Sequence, residues 1–166
     1  MPRLVGVVFQ NPDLQAIFPT VEEEIAFGLT QLGRDRRESR DEALEFLAIH
    51  GCAQLASMPI AELSEGQKQL VCILSVLVME PRLLVLDEPL TSLDLLATRK
   101  IREKVLSLPQ KIVMVSHDFS HFEGFDRILW LEEGRLRMDG PPYEVLRAFE
   151  ADIDRRSGVK LELAAL

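Results

Sequence analysis

Leu83-Leu84-Val85-Leu86-Asp87-Glu88-Pro89 is the stretch that decides the fold. Its apolar run reads as a buried strand that delivers two adjacent carboxylates at its end. In open α/β sheets a ligand sits in the crevice beyond the carboxyl ends of the strands, so Asp87 and Glu88 stand where a ligand binds. One carboxylate can hold Mg²⁺ through oxygen donors, and the other can orient or deprotonate an attacking water. A polar strand end followed by a proline turn is the plain alternative, and this stretch alone does not exclude it.

Working outward, Leu63-Ser64-Glu65-Gly66-Gln67 lies upstream. Ser64-x-x-Gln67 matches a capping box, opening a helix that runs to about Glu80 before Pro81. A capped helix needs no function, and Gly66 is the discriminator. Glycine in a helix costs roughly 1 kcal/mol relative to alanine, which makes sense where a backbone must approach something closely. A helix start with free N–H groups and a glycine suits phosphate. Downstream, Ser92-Leu93-Asp94 opens a helix to about Leu108, with Pro109 beyond. Lys111 to Ser116 reads as a second strand, ending at His117-Asp118. A lone histidine at a strand end is ordinarily structural. His117 and His121 would chelate zinc only on a helix, and Asp118 stands where the zinc-protease motif has Glu.

Toward the amino end, Leu4 to Phe9 reads as a buried strand followed by Gln10, and Asn11-Pro12-Asp13 is turn chemistry. Thr20-x-x-Glu23 is a capping box for a helix ending near Gly33. Arg34 to Arg40 reads as a charged connection, and Ser39-x-x-Glu42 as the cap of a helix that stops at Gly51. Residues 11–80 are therefore expected to be helical. Toward the carboxyl end, Asp126–Leu131 and Arg135–Met138 flank Glu132-Glu133-Gly134, a hairpin signature. Pro141-Pro142 starts a final helix to about Ala151, and 152–166 reads as a tail. Alternating strands and helices predict an α/β fold with a parallel sheet.

Composition narrows the classes. The chain has 166 residues, enough for one domain or one core with an insertion, and its 47% hydrophobic content suffices for a packed core. A net charge of -8 and 6% aromatic residues argue against a nucleic-acid surface. Cys52 and Cys72 sit in apolar contexts without metal-ligand spacing and read as reduced core thiols. The apolar stretch Leu70–Met79, which contains Ser75, is far shorter than the ~18 residues of a membrane span. No signal peptide is visible.

Gln10 after a strand, the helical stretch, Leu63–Gln67, Asp87-Glu88-Pro89, Ser92-Leu93-Asp94 and Val115-Ser116-His117-Asp118, in that order, resemble the ATP-binding subunit of ABC transporters. The resemblance covers residues 3 to about 150. Phe9-Gln10-Asn11-Pro12-Asp13 and Phe18 to Gly28 are similar to the energy-coupling-factor or cobalt-transport type, which imports vitamins or metal ions. The resemblance implies a P-loop NTPase core with a parallel sheet and an inserted helical subdomain. Residues 1–10 and 81–151 would form a partial core, and 11–80 the helical signature subdomain. ATP and Mg²⁺ would be the cofactors. Gln10 would be the Q-loop glutamine, touching Mg²⁺ and the water. Asp87 would be the Walker B magnesium residue, Glu88 the general base and His117 the switch histidine. Ser64, Glu65, Gly66 and Gln67 would complete the ATP site of the opposite subunit, with Asp94 as the D-loop aspartate. The partners would be a second ABC ATPase subunit, in a homo- or heterodimer, and an integral membrane subunit. The place would be the cytoplasmic face of the cell membrane.

Two departures matter. Glu65 stands where the commonest signature has glycine, bringing a carboxylate near a phosphate position or pointing to solvent. The sequence also holds no Gly-x-x-x-x-Gly-Lys-Ser/Thr, so it is expected to be amino-terminally truncated relative to the family. Without that loop there is no backbone cradle for phosphate, and the chain alone is expected to be inactive. The family's strand order further predicts an unpaired edge on each side of a gap, both lined with buried apolar residues. A non-catalytic partner lending its signature to a complete ATPase, and a fragment of a soluble ABC ATPase, are the alternatives.

Overall fold

Val5–Val8 (β1), Leu83–Asp87 (β2) and Lys111–Val115 (β3) form a parallel sheet with β2 in the middle. The register sets Val8 beside Leu86 and Leu86 beside Met114. The computed structural model describes residues 4–164. The chain divides into two units, Met1–His117 and Asp118–Leu166.

In the first unit the sheet buries one face. Val8, Leu84 and Leu86 are fully buried, whereas Val5, Val7, Val113 and Val115, on the opposite face, are 40–49% exposed. Successive side chains on a strand point to opposite faces, so strands that read as uniformly buried runs alternate instead. The edge of β3 away from β2 pairs with no strand among the described residues. Its apolar side chains alternate: Ile112 and Met114 pack against the core, whereas Val113 and Val115 are about half-exposed, so the edge is covered on one face only rather than throughout as expected.

Helix α1 (Val21–Gln31) opens on the expected capping box, with the Glu23 carboxylate accepting from both Thr20 N and Thr20 Oγ1. Helix α2 (Arg36–Ile49) begins earlier than expected. Asp35 is the cap, its Oδ1 accepting from Arg37 N at 2.8 Å, so the charged connection is largely the helix's own first turn. Aspartate is a strong N-cap, and Ser39 instead lies inside the helix, fully buried. Helix α3 (Glu65–Leu77) starts at its expected cap but stops short of Glu80, which adopts a left-handed φ of 53°. Helix α4 (Leu95–Leu106) starts after Asp94 rather than at Ser92, because the Asp94 carboxylate accepts from Ala97 N at 2.8 Å.

Two apolar clusters hold this unit, and α3 supplies both. Val71, Leu74 and Leu77 join Val21, Ile25 and Leu29 of α1 and Leu47 of α2. Cys72, Ile73 and Val76 join Val8, Leu84 and Leu86 of the sheet and Ile101 and Val105 of α4. A helix that is apolar all round is one that is covered all round. Cys52 and Cys72 are both free and buried, and burial pushes the Cys72 thiol up to about 12.

In the second unit, β4 (Ile128–Glu132) and β5 (Arg135–Gly140) pair antiparallel in a sheet of their own. Glu133 and Gly134, with φ of 49° and 72°, make the two-residue turn whose twist suits a hairpin. Helix α5 (Pro142–Ala164) runs through the stretch expected to be a tail. Asp152, 6% exposed, pairs with Arg155 and with Arg156 at 2.6 Å, and Arg156 also reaches Glu132 of β4 at 2.5 Å. Among the described residues no helix is long and apolar enough to cross a membrane.

Candidate functional site

The end of β2 sets the site. Glu88 follows the strand with a φ of 48°. This left-handed backbone costs a non-glycine residue roughly 1–2 kcal/mol. It is held by the bond from Glu88 N to Val115 O at 3.0 Å. The carboxylate, only 17% exposed, accepts from Thr91 Oγ1 at 2.6 Å and from Ser116 Oγ at 3.4 Å on Oε2. His117 Nδ1 lies 2.8 Å from Oε1. Burial pushes the Glu88 carboxyl up. The hydrogen bonds from Thr91, His117 and Ser116, with the nearby His117 charge, outweigh it and hold the carboxyl below its ordinary value.

Glu88 opens onto a cleft of about 420 Å³ whose lining includes Gln10, Asp13, Glu65, Gln69 and Ser92. Gln10 arrives there because β1 and β2 are neighbours in register. Glu65 arrives from the first turn of α3, half-exposed and paired with Lys68 at 3.3 Å; Lys68 also holds Asp13 at 2.8 Å. The structure therefore brings Gln10, Glu65, Glu88 and His117 into one neighbourhood.

The other expected residues stand apart from the cleft lining. Ser64 and Gln67 close the capping box reciprocally, Ser64 Oγ accepting from Gln67 N at 3.3 Å and Gln67 Oε1 from Ser64 N at 2.9 Å. A Cβ at Gly66 would lie 2.8 Å from Ala97 Cβ. The close approach that this glycine permits is to α4. Asp94 caps α4, and Asp87 ends β2 with an exposed side chain. Asp87 and Gln10 carry hard oxygen donors at the ends of neighbouring strands. That set suits Mg²⁺, which takes one or two carboxylates and keeps several waters. Among the described residues no cluster of three or more His, Cys, Asp or Glu could hold a metal. His121 is buried, beside Asp118 at 3.8 Å.

Two residues of the site escape a reading of the sequence. Thr91 is one turn beyond Glu88, and only the Glu-x-x-Thr spacing hints at their bond. Gln69, one turn beyond Glu65 on α3, is 2% exposed, and its Nε2 has no hydrogen-bond partner among the described residues.

A parallel sheet presenting carboxylates at its strand ends, with a helical insertion between its first two strands, defines an α/β fold of the ATPase kind. The family model described as ABC transporter matches residues 1–91, and the chain belongs to that family. The biotin transport ATP-binding protein BioM of Rhodobacter capsulatus is 48% identical over 89% of this chain and 63% of its own length. A putative ABC transporter ATP-binding protein of Deinococcus radiodurans is 43% identical over 89% of this chain and 65% of its own. Among solved structures, cbiO1 of Clostridium perfringens, part of the ABC transporter complex cbiONQ, matches with a TM-score of 0.76. It is 32% identical over 96% of this chain and 64% of that one. The chain thus spans less than two thirds of these relatives' length.

Proposed function

We propose that the chain is the hydrolytic and signature-bearing part of the ATP-binding subunit of an energy-coupling-factor-type importer for a vitamin or metal ion. The observation that carries this is the Glu88 carboxylate, held by His117 and Thr91 at the mouth of a cleft that Gln10 shares. Glu88 is ionised at neutral pH and can take a proton from water. His117, beside it, can donate to an oxygen on which negative charge gathers. Asp87 and Gln10 would hold Mg²⁺, which when bound neutralises charge on phosphate oxygens. The Ser64–Gln67 helix start would face the nucleotide of a second ATP-binding subunit. The similarity to BioM and to cbiO1 supports the importer type and makes biotin the first substrate to try.

The test is to reconstitute the assembled transporter, with its membrane subunit and second ATP-binding subunit, in vesicles. ATP-dependent uptake of biotin or of a cobalt-like ion is the expected result. Assembly without phosphate release under any condition would overturn the reading. The 166-residue chain by itself is a separate case. The sequence lacks the phosphate loop, so titration with ATP and Mg²⁺ is expected to show weak binding and no useful turnover. Tight binding with turnover of about 1–10² s⁻¹ would overturn that.

We propose further that the membrane subunit docks on the apolar loop after Gln10. Leu14 and Ile17 are 83% and 72% exposed, whereas the Phe18 ring packs 5.0 Å from that of Phe27. The apolar residues of this loop therefore divide into a surface and a buttress. Ile17→Ser in a complete subunit is expected to abolish co-purification with the membrane subunit at an unchanged melting temperature. Phe18→Ser is expected to lower the melting temperature. Intact co-purification of Ile17→Ser would remove this surface from the docking site.

A further inference from the structure

The geometry points to Thr91 as the positioning residue of Glu88, fixing through its hydroxyl where the carboxylate stands at the cleft; its part in turnover rests on the function proposed above. The segment Glu88-Pro89-Leu90-Thr91 is a turn closed twice. Its backbone closes from Thr91 N to Glu88 O at 3.4 Å, and its side chains close from Thr91 Oγ1 to Glu88 Oε2 at 2.6 Å. The second bond is short, as expected for a hydroxyl donating to an ionised carboxylate. Its geometry needs Glu88 in its left-handed backbone conformation, which carries the side chain toward the cleft.

The groups around this carboxylate divide the work. From the end of β3, His117 binds Oε1 and Ser116 lies farther off, 3.4 Å from Oε2. Across the cleft stand Gln10 and Asp13 after β1, and Glu65 and Gln69 of α3; Lys68 ties Asp13 to Glu65. Asp87 precedes Glu88 in the chain. Asp13 and Glu65 across the cleft place further acids near Glu88, so the donors that hold its carboxylate matter the more. The Thr91 hydroxyl, 2.6 Å from Oε2 against 3.4 Å for Ser116, is thus the donor that fixes this oxygen. Thr91 is exposed, so replacing it leaves both apolar clusters intact.

The test reads where the Glu88 side chain stands. In the full 166-residue chain at neutral pH, the Glu88 χ1 and χ2 couplings measured by NMR are expected to report one rotamer, set by the Thr91 bond. Thr91→Val is expected to average them over several rotamers, and Thr91→Ser to keep the single one. In the assembled complex, Thr91→Val is expected to lower kcat about tenfold, the factor that one lost hydrogen bond carries, with KM unchanged and Thr91→Ser restoring the rate. An unmoved Glu88 rotamer in Thr91→Val, or the same averaging in Thr91→Ser, would overturn the inference. Should Thr91→Val fail to fold, the wild-type Thr91 side chain decides: its χ1 couplings must show the single rotamer that the bond requires, and free averaging overturns the inference. A Glu88 side chain released by Thr91→Val in a complex that never hydrolyses ATP would leave Thr91 in this role and remove the proposed function instead.

Discussion

Glu88→Gln in the complete complex is expected to cut phosphate release by about 10²–10⁴-fold while ATP still binds. The amide keeps the shape of the carboxylate and can still accept from Thr91, but it cannot take a proton from water. Binding should survive, because Glu88 lies at the end of β2 and no apolar cluster depends on it. The variant also removes a pH dependence. A carboxyl held below its ordinary value stabilises the folded state above the unfolded pKa. That contribution is lost as pH falls through the depressed folded value. The wild-type chain should therefore lose stability on acidification more steeply than Glu88→Gln over that window. Phosphate release at the parent rate in Glu88→Gln, measured in single-turnover experiments, would remove Glu88 as the base.

Leu84→Ala is expected to cost about 2–5 kcal/mol of stability, whereas Val113→Ser should change it by no more than about 0.5 kcal/mol. Leu84 is fully buried in the centre of β2, among Val8, Leu86 and the side chains of α3 and α4. Val113, on the neighbouring strand, points from the open face and is 47% exposed. Urea unfolding of the two variants measures the difference directly. Equal losses would mean that the Val113 face is covered in solution.

Elements whose determinants lie within a few residues were legible in the sequence. Ser64 with Gln67, Thr20 with Glu23, and Glu133-Gly134 each close a local bond or turn, and the structure places them as the spacing predicts. The Leu83–Asp87 strand was legible for the same reason. The departures come from longer-range causes. Val5-Gly6-Val7-Val8 is apolar throughout, so no pattern in it says which side is covered. Helix α5 outruns its expected end because Arg156 joins Asp152 to Glu132 across the fold of the second unit, a pairing that no local window contains. Gly66 was legible as a close approach but not as an approach to Ala97. At the candidate site, Gln10 and Glu88 were legible as strand ends. The Lys68–Asp13 bridge and buried Gln69 arise only once α3 and the strand ends share a cleft, and the Thr91 bond forms in a turn whose left-handed backbone at Glu88 no residue pattern announces.

Helix α3 carries a mechanical consequence. Its flanks are committed to two different apolar clusters, and its first turn carries both the Ser64 cap and the Glu65–Lys68–Asp13 bridge. Rotating it about its own axis would expose one cluster or the other, and tilting it would part Gly66 from Ala97. It therefore behaves as a stiff lever rather than a hinge. A displacement of its first turn would have to carry Ile73 and Val76 with it or break their packing on the sheet. The start of this helix and the packed face of the sheet are therefore fixed relative to each other.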